Sequence, residues 1–398
     1  MSIRERALND AGEREDMDIR AEYDVIVVGA GVAGLAAGTA SARAGAATLA
    51  LDAADEIARK VKGEVIRRDN TIIEQVLGRP IPPSLINGVS KRRRIVSPSC
   101  KKEMLLASKA ESLLIEYRPF MNEVARACVD AGATLMLNTR ADELILNERE
   151  EVCGLKCTAP DGKQVALNCK ALVAADGHSS KLRGQAKLNR PNTCATYKVV
   201  VEGADIPDDD VLEFLLINNP AGAIWIFPKG GGAAECGMTI WDQSPEAQGA
   251  DLAAMWENYR REHPVLSKRL RGASHVLTSI DKLIFGGVVE SFVRPGLVMV
   301  GDAAGHVGAK GASGILAGLS MGYKAGEFLG AYTVKEQKIP DGAAMERCME
   351  AMKETDTWRM LKEEEKAGDM TRHFLFKILG GNEEIDNAWD AITEMAQQ

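Results

Sequence analysis

Hydrophobic positions along the chain alternate between the period of strands and that of helices. Residues 24–28 (Asp-Val-Ile-Val-Val) form a short β-branched run, as a buried parallel strand requires. Glycines follow, then an Ala-rich stretch from Leu35 to Gly45 with high helix propensity. Thr48 to Leu51 predicts a second strand ending at Asp52, which completes a βαβ unit. Residues 78–110 hold Pro80, Pro82, Pro83 and the basic run Lys91-Arg92-Arg93-Arg94, and predict an excursion with short strands rather than a helix. Phe120, Val124, Ala127 and Cys128 share one face of a helix expected over about 116–131 and closed by Gly132. From 133 to 175, apolar runs joined by turns such as Asp161-Gly162 predict strands. Residues 195–245 are again strand-like, with Gly230 to Gly232 as a loop. A polar helix over about 249–262 leads to an expected hairpin near 273–289. A strand at 297–300, a glycine-rich turn and a helix to about 332 come next, and 341–398 reads as helical with a break at Gly380-Gly381.

A length of 398 residues predicts about two to three domains. The net charge of −8 argues against a nucleic-acid partner, which needs a basic surface. Residues 1–22 are charged throughout and lack the apolar core of a signal peptide, and no stretch reads as a membrane span. The expectation is a cytoplasmic protein with residues 1–20 as a flexible tail. Eight cysteines form no CxxC pair and no ligand ladder, so free thiols and no metal are expected.

Gly29-Ala30-Gly31-Val32-Ala33-Gly34 follows the first strand and opens the helix. Gly29 suits a tight turn, Gly31 lets backbone approach a pyrophosphate, and Gly34 permits close helix–strand packing. The helix start offers N–H groups and partial positive charge to that pyrophosphate. Asp52 stands where a carboxylate bonds the adenosine ribose hydroxyls. This fingerprint alone leaves FAD and NAD both open.

Two further motifs decide between them. Ala174-Ala175-Asp176-Gly177 continues through Ser180 to Arg183, and Val300-Gly301-Asp302-Ala303-Ala304-Gly305 ends another buried strand. Asp302 can bond the ribitol of a flavin, and the helix starting near Gly314 and Ile315 can aim its N–H groups at the flavin N1/C2=O edge. In order and spacing, the three motifs resemble the p-hydroxybenzoate-hydroxylase-like FAD superfamily over residues 24–330. Within it, Glu56 to Glu64 (EIARKVKGE), Tyr117-Arg118-Pro119-Phe120, Trp225 to Gly230 (WIFPKG) and the 301–320 segment are similar to the geranylgeranyl reductase family. Lys62 replaces that family's cysteine, Ala223 its first cavity aromatic, Gly308-Ala309 its Asn-Pro, and Ala312-Ser313-Gly314 its triple glycine.

The resemblance implies an α/β fold: a Rossmann-type FAD-binding domain built from separated segments (21–77, 111–190, 285–335). An inserted mixed-sheet substrate domain (78–110, 191–284) and a C-terminal helical region (336–398) complete it. It implies FAD bound by Gly29, Gly31, Gly34, Asp52, Arg59, Lys60, Arg118, Asp176, Gly301, Asp302, Gly314 and Ile315. It also implies Trp225 and Phe227 as walls of a substrate cavity. Lys62, His306 and Lys310 are the candidates for proton transfer or anion binding, each weighed against an ordinary loop or packing role. The basic run 91–94 either attracts a phosphate head group or acidic redox partner, or is a solvated cluster. Thr371 to Leu379 either packs on the domain or covers the cavity or a membrane surface.

The expected activity is FAD-dependent reduction of C=C bonds in a prenyl or other hydrophobic substrate, with electrons from NAD(P)H or a small redox protein and with peripheral membrane contact for a lipid. The alternatives are an FAD monooxygenase or dehydrogenase acting on a smaller, anionic substrate, and a cluster-free electron-transfer flavoprotein.

Overall fold

The computed structural model describes residues 22–59, 64–68, 70–285, 287–309 and 311–397; the expected tail and Lys60, Lys62 and Lys310 lie outside them. Among the described residues the strands form two eight-stranded sheets. Glu22–Val28 lies at the centre of the first, where Val25, Ile26 and Val27 have no exposed surface. Strands buried on both faces need continuous apolar runs, which is why this segment reads as one. It pairs in parallel with Thr48–Leu51 on one side and Gln164–Ala174 on the other. Thr134–Met136 and Leu297–Met299 extend the parallel sheet on its two sides. Val28, Leu51, Ala174 and Met299 therefore finish at one carboxyl edge, and the turns holding Gly29, Asp52, Asp176 and Gly301 leave from it. Open α/β sheets bind ligands at that edge.

The fingerprint helix Val32–Arg43 packs against the long helix Ile315–Glu336, whose glycines 318, 322, 326 and 330 recur every four residues on the contact face. A Cβ on Gly322 would lie 2.0 Å from the carbonyl oxygen of Ala33, and one on Gly326 would lie 2.1 Å from that of Ala37. The helices approach backbone to backbone, and this fixes where the second one begins.

The second sheet runs Ser274–Ile284, Thr193–Glu202, Ala233–Ile240, Gly222–Gly230, Val211–Ile217, Ile86–Val96, Glu103–Ile115, Val65–Arg67. It differs from expectation in three places. Residues 86–115 form two long paired strands instead of short ones. Glu103–Ile115 passes straight through 110, and Val65–Arg67 pairs with it, so this sheet draws on segments read as FAD-binding. The hairpin expected near 273–289 is one edge strand, Ser274–Ile284, whose partner is the distant Thr193–Glu202. The apolar alternation was real, but its pairing is non-local.

Alternation gives this sheet two unlike faces. Val199, Leu215, Ile224, Ile226, Cys236 and Met238 face outward under Trp256 and Leu266 in an apolar core. The cross-strand register places Arg93 with Leu212, Phe214 with Trp225, Phe227 with Glu235 and Lys198 with Gly237 on the inner face. The C-terminal region follows as Gly342–Lys353, Asp356–His373, a π-helical turn Phe374–Leu379, Asn382–Asn387 and Trp389–Gln397. Leu375, Ile385 and Trp389 pack on Met104, Leu216 and Ala223, closing one end of the inner face. Among the described residues no helix is long and apolar enough to cross a membrane.

Candidate functional site

At the carboxyl edge, Gly29 has φ +107°, and a Cβ there would lie 2.3 Å from the Ala175 oxygen; Gly34 leaves room for the Gly29 carbonyl in the same way. Gly31 is different: nothing lies within 4 Å of its would-be Cβ, so the helix start opens onto free space. Asp52 accepts hydrogen bonds from the backbone N–H groups of Ala30 (2.7 Å, Oδ2) and Ala54 (2.7 Å, Oδ1). Its carboxylate is thereby fixed beside the fingerprint turn. Arg118 pairs with Glu56 (3.1 Å) and Arg59 with Asp55 (3.1 Å), both exposed, on the loop that follows the Asp52 strand. Asp176 keeps one buried oxygen, Oδ1, without a hydrogen-bond partner. Burial pushes its pKa up, partly opposed by Ser180 and Arg183.

Arg183, absent from the expected site residues although it closes the DGxxSxxR segment, links two motifs. Its Nη1 donates to the Ala303 oxygen and its Nη2 to the His178 oxygen, each at 3.0 Å, and it is almost fully buried. The turn bearing Asp176 is thus tied to the turn bearing Asp302. Gly314 sits close by, a would-be Cβ lying 3.7 Å from Asp302 Oδ1, and the helix from Ile315 starts there without a side-chain cap. Its first N–H groups have no partners within the helix.

His306 lies inside the protein rather than on the cavity rim. Its Nδ1 accepts the Gly301 N–H (3.2 Å), while the His306 backbone N–H donates to the Gly301 oxygen (3.0 Å), closing the loop. The ring meets Phe292 edge to face at 5.0 Å. Burial pushes its pKa down to about 3, against a smaller opposing effect of Asp302, so the ring is neutral at pH 7. A neutral, enclosed imidazole is poorly placed to give protons to a substrate. His263, capping the end of another helix, is likewise pushed down by burial, to about 4. In the unfolded chain both protonate near 6.5. Stability is therefore intact above that pH and falls as pH drops toward the folded values. Between pH 7 and pH 5 each histidine is expected to remove about 2 kcal/mol. Urea unfolding at the two pH values measures the loss, and His263→Gln should shrink it by about that amount; an unchanged difference would refute the assignment.

The inner face of the second sheet carries a second cluster. Trp225 and Phe227 stand 6.3 Å apart on it, with Phe214 edge-on to Phe227 at 5.4 Å. All three are half-buried. Gly237 makes space for the Trp225 ring, since a Cβ there would meet Cζ2 at 2.3 Å. Trp225 Nε1 donates to Glu235 (3.1 Å), which also faces Lys198 (3.4 Å) and accepts the backbone N–H of Glu64 (2.9 Å). Complete burial raises the Glu235 pKa, while Lys198 opposes the shift. Lys229 bridges Glu64 and Glu116. Burial works to lower its pKa, but the two carboxylates outweigh that and hold it raised. Three segments far apart in sequence, ending in Glu64, preceding Tyr117 and containing Phe227, thus meet at one ion cluster. Lys229 and Glu64 were visible in the motifs; Lys198 and Glu235 had no sequence signal beyond a strand pattern.

Open space above Gly31, the unpartnered Asp176 Oδ1 and the uncapped helix start at Ile315 fit a dinucleotide with a flavin ring. Residues 106–337 match the family model described as an FAD binding domain. Digeranylgeranylglycerophospholipid reductase of Methanocaldococcus jannaschii is 30% identical over 315 residues, 77% of this chain and 76% of that protein. Digeranylgeranylglycerophospholipid reductase 2 of Methanococcoides burtonii is 31% identical over 318 residues, covering 77% and 74%.

The chain belongs to the geranylgeranyl reductase family of FAD-dependent oxidoreductases.

A solved structure of a geranylgeranyl bacteriochlorophyll reductase-like protein from Thermoplasma acidophilum superimposes with a TM-score of 0.79 at 25% identity, covering 94% of this chain and 92% of that one. The bound cofactor of this geranylgeranyl reductase family member is FAD. One departure from the family pattern falls in a turn covered by a later helix. At Gly308, a Cβ would stand 2.2 Å from Glu364 Oε2 and 2.6 Å from Ser313 Oγ. The helix Asp356–His373 lays Glu364 over the turn, and a larger residue at 308 would require the Glu364 and Ser313 side chains to move aside. Arg372 from the same helix donates to the Ala309 oxygen (2.9 Å).

Proposed function

We propose that this oxidoreductase reduces C=C bonds of a geranylgeranyl-type lipid. The observation that carries the reading is the inner sheet face, where Phe214, Trp225 and Phe227 offer a cluster of apolar, half-buried rings. The names of the relatives support the same substrate class. Reduced FAD supplies the hydride for one alkene carbon. In this reading Gly29, Gly31 and Gly34 admit the pyrophosphate, Asp52 and Arg118 hold the adenosine side, and Asp176, Gly301 and Asp302 hold the ribitol side. Gly314 and Ile315 present N–H groups that stabilise negative charge on the flavin. Trp225 and Phe227 orient the chain and keep water out. His306 is a positioning residue that closes the Gly301 loop, not the proton donor. Lys62 and Lys310, outside the described residues, remain the sequence-based candidates for protonating the second carbon. The reductant is NAD(P)H or a small redox protein, and a lipid substrate brings the protein to a membrane surface.

The test is anaerobic. The purified flavoprotein is reduced with dithionite and given geranylgeranyl lipid, and product mass is followed beside flavin reoxidation. Hydrogen gained in steps of one alkene, with matching reoxidation, is the expected result. A flavin that stays reduced with no product would reject prenyl reduction.

A further inference from the structure

The basic run 91–94 divides across the two faces of its strand. Arg92 and Arg94 point to the outer side, where Asp210 takes Arg92, and Asp208 and Glu213 take Arg94. Arg93 points the other way. Among the described residues it has no ion pair and no hydrogen-bond acceptor, and it shares the inner face with Trp225 and Phe227 through its register with Leu212. Its side chain is exposed; partial burial lowers its pKa, with Glu364 opposing and Arg67 adding to the effect.

A guanidinium carries five donors in a planar fork. Arg92 and Arg94 direct theirs to carboxylates on the outer face, whereas strand alternation leaves the Arg93 fork without an acceptor on the inner face. Glu364, the carboxylate that acts on it, lies beyond ion-pair distance and keeps Oε2 buried without a partner.

We infer that Arg93 is the anchor for a phosphate group carried by the substrate, seated on the inner face beside the aromatic wall. Arg93 binds the phosphate oxygens through its fork, and Phe214, Trp225 and Phe227 take the attached hydrocarbon. The inference rests on the prenyl-lipid reading for the hydrocarbon, but not for the anion.

The test measures binding to the oxidised holoprotein through flavin absorbance and fluorescence, so that turnover is not required. Probes are geranylgeranyl diphosphate, a geranylgeranylglyceryl phospholipid, uncharged geranylgeraniol and inorganic pyrophosphate. Arg93→Met is expected to weaken the phosphate-bearing probes by about 10- to 100-fold while leaving geranylgeraniol within about threefold. Arg93→Lys should recover part of the loss, and Glu364→Gln should tighten the same probes. In turnover the Arg93→Met effect should fall on KM, with kcat largely kept. A loss confined to the diphosphate or to the phospholipid would identify the source of the phosphate. Equal weakening of all probes, or none, would overturn the inference. Were no prenyl compound to bind the wild-type protein, the prenyl reading would fall; Arg93-dependent binding of pyrophosphate would still support the anion site, and its absence would reject it.

Discussion

Replacing Arg183 by methionine is expected to strip the protein of its flavin. The guanidinium is the physical link between the Asp176 turn and the Asp302 turn, through the carbonyls of His178 and Ala303. Two effects compete. Burial and the nearby Arg190 lower the Arg183 pKa, with Asp176 opposing them, so the cation itself is strained in its site. Removing a poorly compensated buried charge can be neutral or even stabilising. Methionine, however, leaves the buried Ala303 oxygen and the part-buried His178 oxygen without donors, at about 1–3 kcal/mol for the first and less for the second. The second effect is the larger, and a net loss of about 2–4 kcal/mol in folding stability is expected. FAD affinity should fall further, by about 100-fold, because both acidic turns lose their fixed spacing. Arg183→Lys should rescue little, since a single ammonium does not reproduce the fork. Gel filtration followed by the flavin-to-protein absorbance ratio reads the first effect, and urea unfolding reads the second. An Arg183→Met protein that retains full flavin and an unchanged midpoint would contradict this role.

What the sequence made legible was chemistry confined to one turn. Gly29, Gly31 and Gly34 are needed within six residues of each other, and Asp52 ends the very next strand, so strand, turn and acid could be read together. The turn after Met299, with Gly301 and Asp302 at its start, was legible for the same reason. Features that depend on non-local pairing were not. Whether Arg93 or Arg92 reaches carboxylates is set by which strand lies alongside, and Asp210 is more than a hundred residues away. The apolar alternation after residue 273 suggested a hairpin because a local turn is the simplest partner, yet the edge strand pairs with Thr193–Glu202. His306 stands next to an acidic motif, which drew attention to it as a proton donor; only packing under Phe292 and Trp358 reveals a closed site. Arg183 was quoted within its motif but given no role, because its partners are backbone oxygens, which leave no trace in side-chain identity.

The glycines of the Ile315–Glu336 helix give the other large effect. Gly322→Ala adds one methyl group to a helix interior, where intrinsic propensity favours alanine by about 1 kcal/mol. Packing acts in the opposite direction. The new Cβ would lie 2.0 Å from the Ala33 oxygen and 2.8 Å from its carbonyl carbon, both backbone atoms of the fingerprint helix that no rotamer change can move. Overpacking of this kind costs about 1–3 kcal/mol, and an obstacle made of backbone places the expected loss at the upper end, about 3 kcal/mol. Relief requires the two helices to separate. That would shift Gly314 and Ile315 away from Gly29–Gly34, so flavin retention should drop together with the unfolding midpoint. Gly184→Ala is the matched comparison: it also lies in a helix, Lys181–Gln185, but nothing stands within 4 Å of its would-be Cβ. There propensity acts unopposed, and a gain of up to about 1 kcal/mol is expected. The two substitutions are chemically identical and should move stability in opposite directions. If Gly322→Ala unfolds at the wild-type midpoint with its flavin in place, the close approach of the two helices does not govern the position of the flavin-facing turn.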